Sequence, residues 1–215
     1  SSARPSRLPQ MLRALRHRNY RLFFGGQLIS LIGTWMQSVA QSWLIYRLTP
    51  ENKAAVLLGL LGFTSQVPVF LFATLGGVVA DRHQRRQILI LTQAASMLLA
   101  LVLAALTLFN IVQVWHIFVL AALMGVVNAF DMPTRQAFSV DMVGSEDLIN
   151  AIALNSSMFN GARIIGPAVA GVLVAVVGEG WCFFANGASY IAVIAGLLAM
   201  TQVPFERNPN AGSAM

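Results

Sequence analysis

Polar and apolar residues in this chain do not alternate along it. They form long apolar blocks separated by short charged stretches. Charged side chains are absent from Leu22 to Tyr46, from Ala54 to Ala80, from Gln87 to Phe130 and from Gly180 to Phe205, and Leu148 to Gly178 holds only Arg163. About 20 apolar residues suffice for a helix to cross a bilayer. The block 87–130 is about twice that length, with Asn110 and Gln113 near its middle, so it reads as two spans joined by a turn. The pattern predicts an all-α membrane protein of six transmembrane helices, at 22–47, 54–80, 88–109, 115–132, 148–178 and 181–202. Pro133 is expected to close the fourth. A transmembrane β-barrel would show short alternating strands instead.

Composition strengthens this reading. The 215 residues are 57% hydrophobic and 10% charged, whereas a soluble domain carries about 25% charged residues. Disorder, collagen-like repeats, coiled coil and a secreted disulfide scaffold are excluded. The single cysteine, Cys182, permits no internal disulfide and suggests no metal cluster. It is expected to be a packing residue, and neither a metal nor another cofactor is expected.

The basic residues then set orientation. Arg4, Arg7, Arg13, Arg16, Arg18 and Arg21 precede the first span. Arg82, Arg85 and Arg86 join the second to the third, Arg135 follows the fourth, and Arg207 follows the sixth. The opposite connections hold only Arg47 and Lys53, a ratio of eleven to two. The positive-inside rule places both termini in the cytoplasm. Topology thus accounts for the net charge of +6, and no nucleic-acid partner is expected. The chain divides into a basic cytoplasmic segment (1–19), a six-helix bundle (20–202) and a cytoplasmic tail (203–215). The first segment is too long and too basic for a cleavable signal. Its residues 10–19 are expected to form a short helix on an anionic lipid surface.

Several spans are not apolar all round. In the first, Gln27, Ser30, Thr34, Gln37, Ser38 and Gln41 recur every three or four residues and fall on one face. Amides are costly against lipid, so this face lines either a polar pathway or a hydrogen-bonded helix contact. In the fifth, Ser156, Asn160, Arg163 and Pro167 share a face. Arg163 lies too deep to snorkel and calls for a carboxylate or carbonyl partner, or for a substrate or gating contact. Asn128, Asp131 and Arg135 mark the end of the fourth helix, where Asp131 pairs with Arg135 or with a neighbouring helix. Small residues suited to close packing recur: Gly25, Gly26 and Gly33; Gly59, Gly62, Gly76 and Gly77; Gly161, Gly166 and Gly171. Ser145-Glu146-Asp147 reads as a cap and acidic start for the fifth helix.

The segment Gly77-Val-Val-Ala-Asp81-Arg82-His-Gln-Arg85-Arg86 is more specific. At the connection of the second and third spans it closely resembles the loop signature of the major facilitator superfamily. A second resemblance is Gly166-Pro167-Ala-Val-Ala-Gly171, similar to the Gly-Pro element of facilitator antiporters that export drugs. The fit is incomplete. Gln84 stands where the loop signature has a second glycine, Ala170 precedes Gly171, and Ala121 replaces an arginine that the family links to proton coupling, for which Arg163 is the candidate substitute. More narrowly, Arg18-Asn-Tyr-Arg21-Leu-Phe-Phe, Gly33-Thr-Trp35-Met-Gln37 and Asp131-Met-Pro-Thr-Arg135-Gln-Ala-Phe resemble the branch that includes enterobactin exporters and macrolide-efflux proteins.

The resemblance implies a half bundle of three plus three helices. It also implies efflux of a small molecule (a drug, a siderophore or similar) from the cell membrane by alternating access. The partners implied are the lipid bilayer, the small-molecule substrate, a coupling proton and a second, C-terminal six-helix half, since the family has twelve spans. That half would lie in the same chain, with the present sequence its N-terminal half, or be a second copy. The pathway residues would be Gln27, Thr34, Gln37, Gln41, Asn160 and Arg163. The gate would be Gly77, Asp81, Arg82, Arg85 and Arg86.

Other classes fit less well. An intramembrane enzyme needs a catalytic set at depth. His17 and His83 lie in end segments, His116 lies near the outer end of the fourth span, and no aspartate pair or Gly-x-Ser-x-Gly occurs, so no enzyme is expected. An ATP-driven pump would need a phosphate-binding loop, which is missing. A non-transporting scaffold is the remaining alternative and would need neither Arg163 nor the amide face.

Overall fold

The computed structural model describes residues 10–144 and 147–201. It contains a short 3-10 helix, Gln10–Arg16, and six long helices: α1 (Arg18–Leu48), α2 (Glu51–Arg82), α3 (Arg85–Leu108), α4 (Val114–Val143), α5 (Leu148–Val177) and α6 (Glu179–Ala199). Five of the six, α2 to α6, are long and apolar enough to cross a membrane. Helix α1 is as long, but its amide and hydroxyl face makes it less apolar.

Helix α1 packs on α5 and α6, α4 packs on α2 and α3, and α3 packs on α6. This pairing is unchanged when α1, α2 and α3 are exchanged for α4, α5 and α6, which is the signature of a three-plus-three repeat. In lipid, helices are held by close packing rather than by expulsion of water. Accordingly a Cβ at Gly166 would come within 2.5 Å of Trp35 Cβ and 2.9 Å of the Ile32 carbonyl on α1. In the other repeat, a Cβ at Gly125 or Gly76 would run into the Ser65 or Ala129 carbonyl across the α2–α4 contact. By contrast a Cβ at Gly25, Gly59, Gly62, Gly77, Gly161 or Gly171 would meet nothing within 4 Å, so these glycines do not bring helices of this bundle together.

Two apolar plugs form the core. One, at the arginine-rich end, includes Tyr20, Phe23, Leu89, Phe138, Ala151 and Leu197. The other, at the far end, includes Met36, Leu44, Leu103, Ile117, Cys182 and Phe183. Between them lies a buried polar layer with Gln27, Ser30, Thr92, Gln93, Asp131, Thr134 and Asn186. Large apolar side chains such as Phe70, Leu91 and Ile149 face outward, as a lipid-embedded surface requires.

Some details differ from expectation. Helix α4 passes through Pro133 and ends at Val143. A proline costs a helix one internal donor, but a packed membrane helix tolerates it, and here the Thr134 hydroxyl donates to the Phe130 carbonyl. Asp131 and Arg135 therefore lie inside α4 and not at its end. The turn at Asn110 is present, with the positive φ of 58° that asparagine accommodates. Gln10–Arg16 does not lie apart on a surface. It folds against α5 and α1, burying Ala14 completely. Ser145 and Glu146, Arg4, Arg7 and Arg207, and all of the tail 203–215 with its neighbour Gln202, lie outside the described residues. Asp147 precedes α5 but makes no cap bond to it.

Candidate functional site

The polar layer is organised around Asp131, which is 2% exposed. One carboxylate oxygen accepts from the Thr92 hydroxyl at 2.7 Å and from Gln93 Nε2 at 2.9 Å, both on α3. The other accepts from Arg135 one turn along α4. Arg135 also donates to Gln27 Oε1 on α1 at 2.5 Å. Three helices thus meet at one ion pair. The arrangement satisfies both earlier alternatives, since Asp131 pairs locally and also reaches a neighbouring helix. Gln27 Nε2, Gln93 Oε1 and Arg135 Nε are buried without a partner. Toward the far end a second link ties α1 to α6, where Asn186 donates to Gln37 Oε1 at 2.7 Å.

The amide face of α1 therefore splits. Gln27 and Ser30 are buried in the bundle and Gln37 is half-buried against α6, whereas Thr34 and Ser38 are exposed. On α5, Ser156, Asn160 and Arg163 are also exposed, beside α1. The Arg163 guanidinium lies 5.6 Å from the centroid of the Trp35 ring. Trp35 stands edge-on to Phe159 at 5.5 Å. Arg163 is mid-helix in α5 and Trp35 is mid-helix in α1. These residues form a polar and aromatic face at mid-depth, open on one side of the bundle.

At the arginine-rich end, Asp81 and Arg82 close α2 and are exposed, and Arg85 and Arg86 open α3 after a two-residue connection. Arg85 donates to Asp141 Oδ1 on α4 at 2.6 Å and reaches Asp81 only at 3.5 Å. Arg86 donates to the Leu197 and Leu198 carbonyls at the end of α6, at 2.7 and 3.0 Å, where the helix leaves its last acceptors unpaired. Arg85 and Arg86 are thus spent within the bundle, and Asp81 and Arg82 face outward. The same end is fastened by Asp147, which takes Arg16 at 3.0 Å and His17 at 2.9 Å. Those two partners hold its carboxyl below the usual carboxylate range, the His17 bond most of all. At the far end Arg47 pairs with Glu179 across α1 and α6. His116 serves the turn into α4, its Nδ1 accepting the Gln113 amide at 3.0 Å.

Thr92, Gln93 and Asn186 were not among the site residues expected from the sequence. A signal was present. Past the first turn of α3, Gln93 is its one amide, and Asn186 is the one amide of α6; an isolated amide in an apolar span is expensive unless paired. Asp141 and Asp147 gave no comparable signal, because their partners are far away in sequence.

A family model described as "Transmembrane secretion effector" matches residues 10–211. The chain is 31% identical over 189 residues to the staphyloferrin A transporter of Staphylococcus aureus, covering 86% of the chain and 47% of the relative. It is 26% identical over 201 residues to macrolide efflux protein A of Streptococcus pyogenes, covering 92% and 47%. It is 23% identical over 193 residues to the enterobactin exporter of Salmonella choleraesuis, covering 90% and 46%. The chain spans about half the length of these relatives. No solved structure matches it at a significant level.

Proposed function

This chain belongs to the transmembrane secretion effector family of the major facilitator superfamily, and on that premise we propose that it supplies one six-helix half of a secondary transporter exporting a small molecule. The relatives' names, a siderophore transporter, a macrolide efflux protein and an enterobactin exporter, suggest the substrate range. The observation that carries the reading is the open face of α1 and α5, with Thr34, Ser38, Asn160 and Arg163 exposed at mid-depth. Such a face is costly against lipid. It is inexpensive against a wet pathway between two halves that rock about it.

Two further roles follow from the same proposal. Both termini lie in the cytoplasm, and Asp81 with Arg82 forms the inner gate by contacting the facing half. The buried Asp131–Arg135 network joins α1, α3 and α4 through Gln27, Thr92 and Gln93, so that a shift of α4 is passed to both neighbours.

The test is efflux from cells carrying the complete reading frame, with a radiolabelled macrolide and a radiolabelled siderophore as probes. Energy-dependent loss of either probe is expected. The double variant Asn160→Leu, Arg163→Leu should abolish it while still inserting. Undiminished efflux by that variant would reject this face as the pathway and favour a route elsewhere in the protein.

A further inference from the structure

The sign of the substrate's charge can be read from what surrounds Arg163. Its Cα lies 15 residues from Leu148 and 14 from Val177, roughly 21 Å from either end of α5 at 1.5 Å per residue. The side chain cannot span that distance to either end of the helix. Among the described residues it has no carboxylate within 4 Å and donates no hydrogen bond, while the residue is exposed. Neither α1 nor α5 contains an acidic residue. The buried carboxylate of the polar layer, Asp131, is already taken by Thr92, Gln93 and Arg135. The open face is therefore positive at mid-depth, and no described residue neutralises it.

Arg163 lies over Trp35, 5.6 Å from the ring centroid. A guanidinium near an aromatic ring keeps its five N–H donors available for a planar oxyanion, which it can grip by two parallel bonds. Phe159, edge-on to Trp35, extends the aromatic floor. We infer that Arg163 and Trp35 form a subsite for an anionic group, a carboxylate or similar oxyanion, borne on a flat apolar body, and that a cationic substrate is disfavoured there. The inference rests on the proposed pathway and adds its charge selectivity.

The test needs no knowledge of the substrate. In the complete protein, made cysteine-free (with Cys182→Ser in this chain), Asn160→Cys places a thiol one turn from Arg163. Its modification rate is measured with two methanethiosulfonate reagents of similar size, one carrying a sulfonate and one a trimethylammonium group. The anionic reagent is expected to react about ten-fold faster. Arg163→Lys should keep that preference and Arg163→Gln should remove it. Benzoate should slow the labelling, and benzylamine at equal concentration should not. Equal rates for the two reagents, unaffected by Arg163→Gln, would overturn the anion subsite and leave the pathway standing. That result is also the one expected if a carboxylate from the facing half neutralises Arg163. No labelling by either reagent would mean that the face is dry, and the pathway reading would fall with the subsite.

Discussion

Asp131 and Arg135, one turn apart on α4, form an ion pair whose carboxylate is buried and whose guanidinium reaches across to Gln27 on α1. The pair ties α1 and α3 to α4 at one level of the bundle. Arg135→Ala would strand a buried charge, at a cost of about 3–5 kcal/mol. The expected readout is a clear fall in the melting temperature of the detergent-solubilised protein. Asp131→Asn combined with Arg135→Gln removes both charges and should recover most of the loss. An unchanged melting temperature in the single variant would show that the pair contributes little.

Gly166 and Gly171 lie in the same helix and should respond oppositely to the same substitution. Gly166→Ala forces a methyl group against the α1 backbone and is expected to destabilise by about 1–3 kcal/mol. Gly171→Ala meets open space and should stay within about 0.5 kcal/mol of the parent. Thermal melts of both variants would check this. Equal sensitivity would mean that the α1–α5 contact is looser than its geometry indicates.

Asp81 has half its side chain exposed and only one bond, 3.5 Å long, to Arg85. Asp81→Asn should therefore leave membrane abundance and melting temperature unchanged. If Asp81 is the proposed gate contact, transport should fall by about ten-fold, equivalent to about 1.4 kcal/mol. Full efflux by a correctly inserted Asp81→Asn protein would sink the gate.

Asp147 makes the 3-10 segment pH-sensitive. Its carboxyl is held below the ordinary range by His17 and Arg16, so the folded form favours the ionised group. That stabilisation is fully present above the unfolded carboxylate pKa of about 3.9. It is lost as pH falls through the lower folded value. Limited proteolysis at Arg13 or Arg16, slow at neutral pH, should become fast in Asp147→Asn already at neutral pH. Equal cleavage of parent and variant would show that the ion pairs do not hold the segment.

How much of this was legible in the sequence depended on how far each determinant reached. Gaps between charges placed every helix to within a few residues except the end of α4. There Pro133 was given the meaning it has in water, whereas inside a packed membrane bundle the helix ran on for ten more residues. The amide periodicity of α1 marked a polar face correctly, yet it could not say that Gln27 would turn inward to Arg135 while Thr34 stayed exposed. That division depends on α4, whose Arg135 lies 108 residues away. Arg163 stood out from the sequence alone because a lone cation in a long apolar run has no local explanation. Its ring partner Trp35, on another helix, came only with the fold.

The pairing of α1 with α5 and α6, and of α2 with α4, also bears on how the protein is made. Helix α1 is made well before α5 and α6, the helices it packs on. Until Asn186 emerges, Gln37 lacks its hydrogen-bond donor, and until Arg135 emerges Gln27 lacks its own partner. A nascent chain halted just before Glu179 therefore carries Gln37 into the bilayer without its donor. Chaperone retention and proteolytic clearance should be greatest for such intermediates and fall sharply once the sixth helix docks.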